Sequence, residues 1–290
     1  MTRFSSLPSA DLAEAISASR VEGGEIRLWW LGQAGFVMKS YHALLAIDPY
    51  LSNFLEKKYA RHELTHKRMA PAPIRAGDLK PLDLVLVTHR HSDHMDPETL
   101  PVLADNNPDC LFIIPRSEAH WSSEIGIFES RRIDINGDET FSFTGGSVTA
   151  VASAHEELIR NDKGEHFFLG YIIRMGNLTI YHSGDCVPYP GLARKLKQHA
   201  IDLALLPVNG RDEFRRSRNI PGNFTLKEAM DLCLQANIAF LLGHHYGMFA
   251  FNTIDAAAAE ETFQKERRDS NCMLARLGQT YRLSNPTGLL

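Results

Sequence analysis

Six consecutive positions, His89-Arg90-His91-Ser92-Asp93-His94, hold three of the chain's 13 histidines and one carboxylate. Imidazole nitrogens and carboxylate oxygens suit zinc, manganese or iron, so this spacing points to metal chemistry. A lone histidine is usually a surface or satisfied core residue; it is the density of the cluster that sets it apart. Alternating side chains in a turn point different ways, so His89 and His91 can face one cation while Asp93 and His94 face another. The preceding run, Leu84-Val85-Leu86-Val87, reads as a buried strand. Asp96 and Pro97 are the expected N-cap and first residue of a following helix. The ligand-type residues therefore fall where a strand ends and a helix begins, the edge at which open α/β sheets keep their sites.

The same theme recurs along the chain. His155 follows the strand-like Val148-Thr149-Ala150-Val151, and Asp185 closes His182-Ser183-Gly184-Asp185 after the strand Leu178–Tyr181. Gly184 permits a sharp turn that would present Asp185 at the sheet edge. His244 and His245 follow the strand Ile238–Leu242. Asp48 ends the strand Leu44–Ile47 beside Pro49, where it is either a turn former or a carboxylate that orients a metal-binding histidine from behind.

His-x-His-x-Asp-His after a hydrophobic strand resembles the signature of the metallo-β-lactamase superfamily of metal-dependent hydrolases. Leu28-Trp29-Trp30-Leu31-Gly32, Tyr181-His182-Ser183-Gly184-Asp185 and His244-His245-Tyr246-Gly247-Met248-Phe249 are similar to the L-ascorbate-6-phosphate lactonase-like branch, over a span from about Ile26 to the last helix. The resemblance implies His89, His91 and His155 on one divalent ion, Asp93, His94 and His245 on a second, and Asp185 between them. His182 then has a structural role, and His244 is a neighbour able to assist. Zinc or manganese is the implied pair, and iron fits the same donors. Two cations roughly 3.5–4 Å apart hold a bridging hydroxide at neutral pH, with Asp93 orienting it and shuttling its proton. The implied reaction opens a lactone or ester of a small anionic or phosphorylated substrate. A small phosphodiester is the rival substrate, and a non-enzymatic metal- or ligand-binding module is the remaining alternative. Relatives with a diiron redox role carry glutamate where His91 stands. Relatives also assemble into multimers.

Two regions bear on the substrate. The segment of about 51–80 is basic, with Lys57, Lys58, Arg61, Lys67, Arg68 and Arg75, and is either a solvated insertion or a flap over the site. Four arginines, Arg211, Arg215, Arg216 and Arg218, crowd the loop after the strand Ile201–Pro207. Guanidinium forks suit phosphate or carboxylate, and one of the four is expected to touch substrate. Both regions depart from the lactonase branch.

The remaining elements must position these groups. A short amphipathic helix is expected over 7–19, with Ser9 or Asp11 at its start, then strands at Ile26–Leu31 and Phe36–Lys39. Helices follow from Pro97 to Ala104 and over 116–125, and short strands over 131–151 are separated by Asn136-Gly137 and Gly145-Gly146. A hairpin turns at Gly176-Asn177. Thr225 and Glu228 form a capping box for a helix to Ala236, and Thr253 is the expected cap of a last helix to about Arg268. Both halves carry strand-then-ligand turns, which fits an α/β fold of four layers, an αββα sandwich, in one domain over 1–290.

Composition sets bounds. At 290 residues and 44% hydrophobic, the chain can bury a large core. A net charge of −4 gives no bias toward nucleic acid or membrane, and no apolar run reaches the roughly 20 residues of a membrane helix. Met1-Thr2-Arg3-Phe4-Ser5 lacks the apolar core of a signal peptide. Cys110, Cys186, Cys233 and Cys272 are scattered and read as thiols of a reducing, cytoplasmic compartment.

Overall fold

A computed structural model describes residues 2–8, 11–266 and 271–285. Two mixed sheets face each other. The first runs β1 (Arg3–Pro8), β15 (Gln279–Ser284), β2 (Glu25–Gly32), β3 (Gly35–Lys39), β4 (Leu44–Ile47), β5 (Leu84–Leu86), β6 (Leu111–Pro115) and β7 (Arg132–Ile135). The second runs β14 (Asn271–Leu274), β13 (Phe240–His244), β12 (Leu203–Pro207), β11 (Leu178–His182), β10 (Leu169–Met175), β9 (Gly146–Ala152) and β8 (Thr140–Phe143). In each sheet antiparallel strands come first along the chain and parallel ones follow, as in β4 to β7 and β11 to β14. The two halves thus echo one another, and β15 returns to close the first sheet against β2.

Strand alternation builds the layers. In β2, Ile26, Leu28 and Trp30 face the inter-sheet core, while Trp29 and Leu31 face outward. Helices α1 (Leu12–Ala18) and α3 (Leu100–Asn106) cover that outer face through Leu12, Ile16, Leu100 and Leu103. In β12, Leu203 and Leu205 point inward, and Ala204 and Leu206 point out. There they meet α5 (Leu192–Lys197), α7 (Leu226–Ala236) and α8 (Ala256–Lys265). This is the expected αββα sandwich. The short helices α2 (Phe54–Lys58), α4 (Ala119–Glu124) and α6 (Glu213–Arg216) lie in the segments beside the site.

Three local expectations change. The N-terminal helix over 7–19 is shorter: residues 3–8 form β1 against β15, and Asp11 caps α1 by accepting from the Glu14 N–H (2.8 Å). Ser9 lies outside the described residues. Asn136-Gly137 separates β7 from β8 as expected, and because these strands belong to opposite sheets the link crosses between them. Regular helix begins at Leu100 rather than Pro97, although the Asp96 carboxylate does accept from the Glu98 N–H (3.0 Å). Asp255, not Thr253, caps α8, which ends at Lys265; Arg268 lies outside the described residues. Thr253 instead accepts from the Gly247 N–H (2.7 Å). The capping box of Thr225 and Glu228 forms as expected.

Candidate metal centre

The C-terminal ends of β4, β5, β9, β11 and β13 and the β2–β3 turn all open on one edge of the sandwich. Backbone contacts join the two sheets there. Tyr171 donates its hydroxyl to the Val87 carbonyl (2.7 Å), and the Leu169 N–H donates to the Thr88 carbonyl (3.0 Å). Ser153 Oγ donates to the carbonyls of Ser183 (2.9 Å) and Asp185 (3.0 Å), tying the end of β9 to the Asp185 turn. Gly184 has φ +61°, and a Cβ there would lie 2.7 Å from the Leu169 carbonyl oxygen and 2.9 Å from Thr88 Cβ. Glycine is what lets the Asp185 turn approach the His89 turn this closely.

The sequence-selected ligands converge. Three overlapping sets, His89/His91/His155, His89/His94/Asp185 and Asp93/His94/His245, each have donor atoms within 4.8 Å of one another. Asp185 is central: its Oδ1 lies 3.1 Å from His245 Nε2 and 3.5 Å from His94 Nε2, and its Oδ2 lies 3.6 Å from His155 Nε2.

The supporting residues fix these rings. Asp48, fully buried, accepts from the Thr88 N–H (2.8 Å), the Thr88 hydroxyl (2.6 Å) and His94 Nδ1 (2.7 Å). With Nδ1 held from behind, the Nε2 of His94 is turned into the cluster. His182 donates from Nε2 to the Ala34 carbonyl (2.8 Å) and accepts the Gly184 N–H at Nδ1 (3.0 Å), so it braces the Asp185 turn. His244 stacks on His182 at 5.0 Å and 19° behind the site.

Gln33 was not singled out by the sequence beyond its place in a turn. It is buried, and its Nε2 donates to Asp93 Oδ2 (2.8 Å) and lies 3.1 Å from His245 Nε2; its backbone carbonyl accepts the His245 N–H (2.9 Å). Gln33, Asp48, Glu156 and His245 all have positive φ, at 51°, 44°, 78° and 64°. Left-handed backbone at a non-glycine residue costs about 1–3 kcal/mol and persists only where packing imposes it. That four such residues border one cluster marks it as a site.

Charge divides the cluster. Burial pushes the His155 imidazole down to about 4, and burial followed by the neighbouring His94 and His91 holds His89 well below the usual range. His91 is lowered as well, burial again leading. His94 goes the other way. Burial opposes its charge, but Asp48, Asp185 and Asp93 together hold it well above the ordinary value. Asp185 and Asp93 are lowered despite burial, because His94 and His245 face both.

These donors fit divalent cations. His94 Nε2 and Asp185 Oδ1 are buried and satisfied by no hydrogen bond among the described residues. Buried polar atoms are usually paired, so these two atoms, facing each other at 3.5 Å, fit a cation that would take the place of the His94 proton. Three imidazoles in one set leave coordination positions open, as catalytic metal sites do.

The cluster floors a cavity of about 730 Å³. The 51–80 segment forms one wall, contributing Lys58, Tyr59, His62 and His66, and Arg68 pins it by donating to the carbonyls of Tyr50 and Ser52 (both 3.2 Å). Of the four loop arginines only Arg218 lines the cavity, and it pairs with Glu63 at 3.2 Å. Arg211 is bound to Glu228 (2.6 Å), and buried Arg215 is bound to Asp212, the Asn209 carbonyl and Asn252 Oδ1. Arg216 is paired with Glu213 on the surface. Three of the four are therefore committed to partners away from the cavity, and of the four Arg218 is the one placed where the expected substrate contact could be made.

Two facing mixed sheets, flanking helices and a histidine–aspartate cluster at one sheet edge define the metallo-β-lactamase fold. The chain belongs to that superfamily: the family described as the beta-lactamase superfamily domain matches residues 44–246. A UPF0173 metal-dependent hydrolase of Myxococcus xanthus is 26% identical over 271 residues, covering 90% of this chain and 84% of its own. The N-acyl-phosphatidylethanolamine-hydrolyzing phospholipase D 1 of Caenorhabditis elegans is 23% identical, covering 83% of this chain and 69% of its own. Among solved structures, an isothiocyanate hydrolase from Delia radicum gut bacteria superposes with TM-score 0.68 at 18% identity, over 88% of this chain and 97% of the other. Igni18, a metallo hydrolase of Ignicoccus hospitalis, gives 0.64 at 18% identity, over 89% and 98%. No helix among the described residues is long and apolar enough to cross a membrane.

Proposed function

We propose that this protein is a metal-dependent hydrolase that opens a lactone or ester of a small acidic molecule, acting as one unit over 1–290 in the cytoplasm. The observation that supports this reading is the convergence of His89, His91, Asp93, His94, His155, Asp185 and His245 in one cluster, five of which, His91, Asp93, His155, Asp185 and His245, line one cavity. In the proposal His89, His91 and His155 hold one divalent ion, Asp93, His94 and His245 hold another, and Asp185 lies between; zinc, manganese and iron all suit these donors. Such ions supply Lewis acidity and make water acidic enough to attack at neutral pH.

The chain's own residues do the rest. Asp48 and His182 hold His94 and the Asp185 turn in place. Gln33 fixes Oδ2 of Asp93, leaving Oδ1 to accept a hydrogen bond from the attacking water and to pass its proton to the leaving oxygen. Lys58 and Arg218, on the cavity wall, would meet the substrate's acidic group. No serine, cysteine or lysine nucleophile is required; burial pushes the Cys186 thiol beside the site up to about 11, which keeps it protonated.

A phosphodiester is the second reading, favoured by the similarity to the nematode phospholipase D. Metal analysis of protein purified without chelator should find close to two ions per chain. Turnover of a lactone panel against bis(p-nitrophenyl) phosphate then decides between carbon and phosphorus centres. Metal-replete protein that turns over neither would leave only a binding module.

A further inference from the structure

One wall of the cavity is aromatic, which an acidic group on the substrate does not explain. Tyr59 and His66 from the 51–80 segment stack at 4.2 Å and 25°. His66 meets Phe249 edge-on at 5.0 Å and 68°, and Phe251 at 4.8 Å and 74°. Phe249 and Phe251 lie nearly parallel, 7° apart in plane, at 6.0 Å. These rings come from two segments distant in sequence, and all four line the cavity. Trp121 and Ile220 also line the cavity. Burial lowers the His66 pKa, so its ring is neutral at physiological pH and belongs with the apolar surface.

Both arginines at the rim already have partners, one of which a substrate's acidic group would have to displace at Arg218. Arg218 is paired with Glu63 and lies 4.1 Å over the Phe214 ring, and Arg90 lies 4.6 Å over Trp121 with Glu118 at 3.7 Å. A small, densely hydroxylated and phosphorylated sugar acid would leave this aromatic wall wet and unmatched. A cavity of about 730 Å³ is also in the range that encloses a ligand of some size, with apolar walls and a few polar groups fixing its orientation.

We infer that the substrate carries an extended apolar substituent, of alkyl or aryl character, that packs on Tyr59, His66 and Phe251 while its carbonyl end reaches the Asp93–Asp185 floor. This inference rests on the hydrolase reading and names the substrate class for that site.

The test separates the two. Binding of acetate, butyrate, hexanoate and octanoate to protein purified without chelator is measured by titration calorimetry, beside 6-phosphogluconate. Affinity should rise about fourfold per methylene through octanoate, the increment expected for burying each CH₂. The double variant Tyr59→Ala/Phe251→Ala should flatten that rise to less than about twofold per methylene. Both residues are only half-buried, so the fold should persist, as circular dichroism melting will show. Phe128→Ala, at an exposed ring outside the cavity lining, should keep the full slope. A flat series in the wild type, a slope indifferent to the double variant, or 6-phosphogluconate binding tighter than octanoate would overturn the inference. If the slope is present but no ester of any length is hydrolysed, the wall stands and the hydrolase reading falls. If acetate and octanoate esters are hydrolysed with equal kcat/KM and the binding series is flat, the reverse holds.

Discussion

The two sets of candidate ligands are built on opposite electrostatic principles. His89, His91 and His155 are imidazoles held neutral, chiefly by burial, and Asp185 is the carboxylate beside His155. His94 instead sits among Asp48, Asp93 and Asp185, which hold it charged. The first set is ready to donate lone pairs, whereas the second must give up a proton before His94 Nε2 can bind a cation. Two sets of similar composition thus differ in what loading them requires, because of three carboxylates around one ring.

Asp185 faces rings of both sets, so changing it should have the largest effect. Asp185→Asn keeps the shape but removes the charge shared by His94, His155 and His245. Turnover should fall by well over the ~10–100-fold that loss of a supporting residue costs, and metal content should drop below that of the wild type. Atomic absorption together with a lactone assay checks this. Unchanged metal content and turnover would mean that Asp185 is not shared.

Acid sharpens the comparison. From pH 7 to pH 5 the first set should hold its cation with little change, since His155 titrates only near 4. In the second set His94, with its raised pKa, carries a proton in the metal-free protein. Binding there releases that proton, so affinity should fall about tenfold for each unit of acidification. Asp48→Asn removes the carboxylate that contributes most to raising His94. It should flatten this slope while weakening the second set by about 10–100-fold through lost orientation. Competition titrations with a chromophoric chelator at several pH values read both effects. Parallel slopes for the two sets would break the contrast.

The fold and the candidate cluster were legible because they leave strong local signals. Alternating apolar strands ending in polar turns announced the sheet edge, and the density of histidine in one turn announced the chemistry. Asp48 could be singled out from its place at the end of β4, and it bonds to Thr88 and His94. What stayed hidden depends on partners far away in sequence. β1 pairs with β15 across the whole chain, and nothing local marks residues 3–8 as an edge strand. Arg211 and Arg215 read as free cations until Glu228 and Asn252 are brought beside them. Gln33 sits in an ordinary Gly-Gln-Ala-Gly turn, and its only local signal is that the turn joins two strands directed at the site.

Gln33 tests whether the second set also depends on a neutral neighbour. Gln33→Ala removes the hydrogen bond to Asp93, leaving that carboxylate free to rotate. A bond to a charged group is worth about 1.5–3 kcal/mol, so kcat should fall about tenfold or somewhat more, with metal at the first set unchanged. A change confined to KM would assign Gln33 to substrate contact instead.

The smallest effect is expected at Arg216, which asks whether either set feels the arginine loop directly. Arg216 is exposed, bound at 3.3 Å to Glu213 three residues before it, and absent from the cavity lining. An exposed pair of this kind contributes about 0–1 kcal/mol to stability. Arg216→Ala should therefore leave kcat/KM within about twofold and the melting temperature nearly unchanged. Arg218→Ala should raise KM more clearly, because its guanidinium lines the cavity beside Glu63. Equal effects at the two positions would mean that the loop acts on substrate as a diffuse positive field. A screened field weakens as salt rises, so repeating both assays at 0.5 M salt would separate it from a contact made by Arg218 alone.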